Sequence, residues 1–194
     1  MNTDMNKASE GLEYHVEISD PEQTAVACLA KASGLSHTIV KQAMFKGAVW
    51  LGRGKKTLRL RRASRALKVG DALHFYYNKT VLAREPKAAE LLKDEGDYSV
   101  WYKPYGMYSQ GSKWGDHCTI SRWAEQHLQP ERPAFVVHRL DRAASGLILL
   151  AHSKRAAAAL SGLFERRELD KTYWVIVEGK LNTPEAGLTI DSPV

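Results

Sequence analysis

Between Phe135 and Lys154 the chain reads FVVHRLDRAASGLILLAHSK, a polar turn carrying His138, Arg139, Asp141 and Arg142 between two apolar runs. A carboxylate flanked by two arginines stays ionised and aimed, which is what a nucleophile or a general base requires. The same arginines can draw in a phosphate backbone. Spacing alone leaves a second possibility open, a structural turn in which the aspartate caps backbone amides and pairs with its arginines. Elsewhere the reactive residue types are dispersed. The seven histidines form no ligand cluster, and Cys28 and Cys118 stand apart in no metal or disulfide spacing.

The elements that must position this turn can be read from pattern. FVVH and GLILLAH are short buried strands on either side of it, Ser153 caps a helix KRAAAALSGLFERRE, and TYWVIVEG is a further run of strong β-formers. Upstream, DYSVWYKPYGM alternates into a strand that turns at Pro104-Tyr105-Gly106, and Thr119 caps a helix ISRWAEQHL. Trp50, Trp101, Trp123 and Trp174 fall in apolar strand or helix patterns and read as core, whereas Trp114 lies in a polar loop. A strand-and-helix unit of this kind is α+β around a mixed or antiparallel sheet, beginning near Asp94. Residues 79–93, interrupted by Pro86 and without a clear apolar period, read as a linker.

Charge divides the chain. Gln23 to Gly70 holds eleven Lys or Arg and no acid, whereas Met1 to Glu22 holds six acids and one lysine. A 48-residue block of one sign with ample apolar content reads as a folded unit that holds a polyanion, RNA or DNA, the alternative being a solvated basic face with no ligand. Within it TAVACLAKAS runs to Gly34, Ser36 caps HTIVKQAMF, and AVWL, LRLRR and ALHFYY read as small strands. Lys41, Lys46, Arg53, Lys55, Lys56, Arg59, Arg61 and Arg62 are the candidate phosphate contacts, joined by Arg142 of the polar turn. No apolar run approaches the ~18 residues of a membrane span, so a cytoplasmic protein is expected.

Two resemblances sharpen this reading. Residues 20–78, with KGAVWL and VGDALHF after the helix pair, resemble the small RNA-binding domain of ribosomal protein S-four, with Leu51-Gly52-Arg53-Gly54 where that domain usually has Asn-Gly. HRLDRAASG resembles the H-R-L-D-x-x-[TS]-S-G signature of RluA-type pseudouridine synthases, with Ala144 in place of Thr or Ser. YSVWYKPYGM, LSGLFERRELDKTYWVIVEG and IDSPV resemble further segments of that family, in order, over residues 94–194.

The resemblance implies an enzyme that isomerises uridine to pseudouridine in RNA, without cofactor or metal. Asp141 would be the catalytic aspartate, Arg139 the residue that enters the stack as the uridine leaves, and Tyr173 the ring that packs on the flipped base. The expected partner is RNA, ribosomal in preference to transfer RNA, and the expected state a monomer. The family's continuation includes an arginine that pairs with the aspartate, so a chain of this length is expected to be truncated, to bind RNA and to isomerise it feebly. Two rivals are a non-catalytic RNA-binding or ribosome-assembly protein that keeps the loop as scaffold, and a nuclease pairing His138 with Asp141.

Overall fold

Local capping starts the helices. The hydroxyls of Thr24 and Ser36 accept from the amides of Ala27 (3.2 Å) and Ile39 (3.3 Å), opening α1 (Ala25–Ser33) and α2 (His37–Phe45). Gly34 then closes α1 at φ 71°, where a β-carbon would be strained. In the computed structural model, which describes residues 11–179, these helices lie on one face of a four-stranded sheet.

That sheet is formed by β1 (Leu12–Glu17), β2 (Val49–Arg53), β3 (Lys56–Arg59) and β4 (Ala72–Tyr77) in the order β1-β4-β2-β3, all antiparallel. Because side chains alternate, Val49, Leu51, Leu73 and Phe75 meet Val26, Leu29, Val40 and Met44 of the helices in one core. Each such side chain contributes about 1.5–3 kcal/mol by leaving water. Register places Glu13, His15, Trp50, Arg59, His74 and Tyr76 on the opposite face.

After a short helix α3 (Lys79–Leu82), β5 (Glu90–Asp94), β6 (Tyr98–Lys103), β7 (Phe135–Val136) and β8 (Gly146–Ala151) form a second antiparallel sheet in the order β5-β6-β8-β7. Its core joins Trp101, Ile148 and Leu150 to Ile120, Ala124 and Leu128 around α4 (Ile120–His127). The Ser153-capped α5 (Lys154–Glu165) lies against β7 and β8. The fold is α+β.

Several expectations need correction. Residues 79–93 contain α3 and most of β5, which is exposed along its whole length and hydrogen-bonded to β6 only as an edge, hence its lack of apolar period. β1 is an element that the sequence reading lacks, although Leu12, Tyr14 and Val16 alternate with the outward Glu13, His15 and Glu17. β3 begins two residues before LRLRR, since Gly54 (φ 58°) turns the hairpin early. TYWVIVEG forms no strand within the described residues. Trp174 is 98% exposed rather than core, because a strong β-former still needs a partner edge. The other three tryptophans are buried (Trp101) or half-buried (Trp50, Trp123). IDSPV lies outside the described residues.

Arg53 shows how the basic block is built into the fold. It grips Asp71 with two hydrogen bonds, Nε to Oδ1 at 2.7 Å and Nη2 to Oδ2 at 2.6 Å, while the Lys68 amide donates to Oδ2 at 2.8 Å. The guanidinium holds the buried Asp71 carboxyl below its ordinary range. A depressed carboxyl contributes stability above its unfolded value of about 3.9 and loses it as pH falls through the folded value. Asp71→Asn is therefore expected to lower the urea midpoint at neutral pH. The difference from the parent protein should shrink as pH falls below about 4, because the parent then loses the same charge.

Candidate active site

The last inward-facing position of β6 is a lysine. Lys103 lies opposite Gly146 of β8, on the face that buries Ser99 and Trp101, and is itself fully buried. Its ammonium donates to the carbonyls of Ala144 (2.6 Å), Met107 (2.9 Å) and Pro104 (3.4 Å), so all three protons reach oxygen. Burial pushes its pKa down, and the Asp141 carboxylate partly restores it. One side chain thus ties the turn after β6 to the loop between β7 and β8.

Two further ties fix that loop. Ser109 donates from Oγ to the Leu140 carbonyl (2.6 Å) and accepts from the Leu140 amide (3.0 Å), and the Gly106 amide donates to the Arg142 carbonyl (2.7 Å). Gly106 adopts φ 85° to make this turn. At the start of the loop, His138 Nε2 accepts from the Leu149 amide (3.0 Å), which requires that nitrogen to be unprotonated. Its ring stacks on Phe164 of α5 at 4.4 Å, and burial, with a smaller contribution from Lys171, pushes its pKa down. His138 is a strut for the loop, and its neutral form leaves no proton on Nε2 to donate.

On this brace Asp141 is exposed, and the Ala144 amide donates to its backbone carbonyl at 3.1 Å. The expectation that Arg139 and Arg142 hold the carboxylate is not met. Among the described residues Asp141 forms no ion pair; Arg139 is exposed, and Arg142 leans on the Tyr108 ring, 5.3 Å from its centroid. Arg84 approaches the same tyrosine and donates to its hydroxyl at 2.6 Å. An exposed carboxylate beside two arginines that form no ion pair among the described residues can attack carbon or take a proton from a nucleotide whose phosphates those arginines meet. Tyr173 is 63% exposed in irregular chain, with Lys171 close by over Phe164 (5.9 Å). No described ring contact or hydrogen bond joins Tyr173 to the Asp141 loop.

The basic candidates of the N-terminal unit divide. Lys41, Lys55, Lys56 and Arg62 are exposed. Lys46 instead donates to the Leu82 carbonyl (2.8 Å) and to Glu85 (3.0 Å), and Arg53 is spent on Asp71. Arg59 and Arg61 both turn to Asp116 of the second unit. These four do not form an open phosphate face, because carboxylates and carbonyls from distant positions reach them. Lys103, Ser109, Tyr108 and Asp116 were not read as site residues. Only the KPYGM motif pointed toward Lys103, and nothing in the loop GSKWGDHC marks Asp116.

The Asp141 loop lies inside a segment that matches a known family. The family model for RNA pseudouridylate synthase matches residues 97–194, half of the chain. The chain belongs to the RNA pseudouridylate synthase family. The mitochondrial pseudouridylate synthase RPUSD4 of Mus musculus is 31% identical over 118 residues, covering 59% of this chain and 30% of that protein. The dual-specificity RNA pseudouridine synthase RluA of Vibrio parahaemolyticus is 40% identical over 93 residues, 47% of this chain and 35% of that one. An uncharacterized RNA pseudouridine synthase of Aquifex aeolicus is 26% identical over 199 residues, 97% of this chain and 60% of that protein. The chain thus matches from about a third to three fifths of the length of these relatives. Among the described residues, no helix is long and apolar enough to cross a membrane.

Proposed function

We propose that this protein isomerises uridine to pseudouridine in structured RNA, large-subunit ribosomal RNA in preference to transfer RNA, as a cytoplasmic monomer. The reading rests above all on the exposed carboxylate of Asp141, carried on a loop braced by Lys103, Ser109 and His138 within the segment that matches the family. The preference for ribosomal RNA rests on the appended basic unit, by analogy.

In the reaction the N1–C1′ bond of uridine breaks, the base turns, a C5–C1′ bond forms, the C5 proton leaves and N1 takes up a proton. The base must first leave its stack, at a cost of a few kcal/mol that is lowest in loops and mismatches. Arg139, which is exposed, fills the vacated position. Asp141 opens the chemistry either by attacking C1′ or by removing a ribose proton, and both routes need the ionised carboxylate. Tyr173 stacks on the free base, worth roughly 1–3 kcal/mol, and stands ready to handle the C5 proton. Residues 20–78 act as an anchor resembling the S-four RNA-binding domain, with Lys41, Lys55, Lys56 and Arg62 against the backbone.

Mapping pseudouridine in ribosomal and transfer RNA from cells with and without the gene tests this. Loss of a site in large-subunit RNA is the expected result. Loss confined to transfer RNA would overturn the target, and an unchanged map would overturn the activity.

A further inference from the structure

Loop residues 111–118 of the second unit lie on the outer face of the N-terminal sheet, against its most basic hairpin. Asp116 is the centre of the contact. Its Oδ2 meets Arg59 Nε at 3.1 Å and Arg61 Nη2 at shorter range, while its backbone amide donates to the Lys46 carbonyl at 3.1 Å. Arg59 also donates to the Ser112 carbonyl (2.8 Å) and to the Gly47 carbonyl, and its guanidinium lies 4.1 Å from the centre of the Trp50 ring. The Trp50 indole N–H donates to the Lys113 carbonyl at 3.2 Å. A β-carbon on Gly47 or Gly111 would collide with Asp116, so glycine at both positions lets the loop close.

The contact is ionic and incompletely matched. Two guanidinium groups face one carboxylate, both drawn to its Oδ2, and Oδ1 is buried with no hydrogen-bond partner among the described residues. Asp116, tethered by its backbone, turns only one of its two oxygens to the arginines; a phosphodiester, approaching from outside, can set one non-bridging oxygen against each guanidinium.

We propose that Arg59 and Arg61 form a phosphate site for the RNA backbone that Asp116 occupies in the absence of RNA, and that RNA displaces Asp116 and releases the loop. The inference rests on the RNA-binding reading above. It adds that the N-terminal unit changes from a self-closed to an RNA-engaged state. Phosphate affinity is thereby coupled to freedom of the loop, which begins three residues after Tyr108, the ring on which Arg142 lies beside Asp141.

Fluorescence anisotropy with a labelled RNA hairpin tests the exchange. Asp116→Asn is expected to bind about tenfold more tightly at ~0.1 M salt, with a log–log salt slope steeper by about one to two phosphate contacts. Adding Arg59→Gln and Arg61→Gln to that variant should remove both gains. Equal or weaker binding by a folded Asp116→Asn overturns the proposal. Hydrogen exchange on the unaltered protein gives an answer should the variant fail to fold. The Asp116 amide, bonded to Lys46, should lose protection when the hairpin binds, and unchanged or greater protection overturns the exchange. If neither protein binds the hairpin, the RNA-binding reading falls together with this one. Tight binding by the unaltered protein without loop release leaves that reading standing and removes only the inference.

Discussion

Asp141→Asn is expected to lower pseudouridine formation by about a thousandfold or more while leaving the fold intact. The carboxylate is exposed and forms no ion pair among the described residues, so its loss should shift stability by no more than about 0.5 kcal/mol. An amide of the same shape can neither attack C1′ nor accept a ribose proton, so both routes close together. Asp141→Glu keeps the charge but moves it by one methylene, and a misplacement of that size costs on the order of a hundredfold. Release of tritium from RNA carrying uridine tritiated at C5, followed beside urea unfolding, separates chemistry from stability. An asparagine variant that retained a tenth of the parent turnover would remove Asp141 from the reaction. A variant with lost turnover and lost stability would make it a structural turn residue instead.

Lys103→Met should do the opposite, damaging the fold first and the chemistry through it. Methionine fills a similar volume, but the carbonyls of Ala144, Met107 and Pro104 lose their common donor. Hydrogen bonds from a charged donor contribute about 1.5–3 kcal/mol each, offset in part because an ammonium no longer has to be buried. A net loss of about 2–4 kcal/mol follows, on the scale of a severe single substitution. The Asp141 loop would also lose its tie to the turn after β6, and turnover should fall by about a hundredfold in the protein that remains folded. Substrate affinity should change far less, since Lys103 is fully buried and out of reach of RNA. Unchanged urea unfolding would show that Ser109 and the Gly106–Arg142 bond hold the loop without it.

The two substitutions divide the site by exposure. Asp141 is free to react because its exposed carboxylate forms no ion pair among the described residues, and Lys103 holds the loop because it is sealed from water. Ser109 and His138 belong with Lys103, each bonded to backbone of the strand–loop–strand unit that carries the aspartate. His138 adds an argument against the nuclease reading. A ring nitrogen accepting from the Leu149 amide, on an imidazole whose pKa burial lowers, is poorly placed to act as an acid beside Asp141.

Local pattern by itself determined a good deal. Caps at Ser36, Thr119 and Ser153 start three helices where the sequence places them, because a hydroxyl bonding an amide three residues on is a short-range event. The β8 run and the HRLD turn were legible for a similar reason, and the ordered motifs carried the family. What the tertiary structure decided were the partners of long side chains. Arg59 and Arg61 looked like open phosphate contacts, yet each reaches Asp116, more than fifty positions away. The arginines that flank Asp141 in sequence do not hold it, while Lys103, nearly forty positions earlier, supports its loop. Likewise TYWVIVEG has the composition of a strand but pairs with none in the described chain. Charge and β-propensity state what a residue can do, and only the folding of distant segments against one another determines which carboxylate, carbonyl or strand edge is within reach.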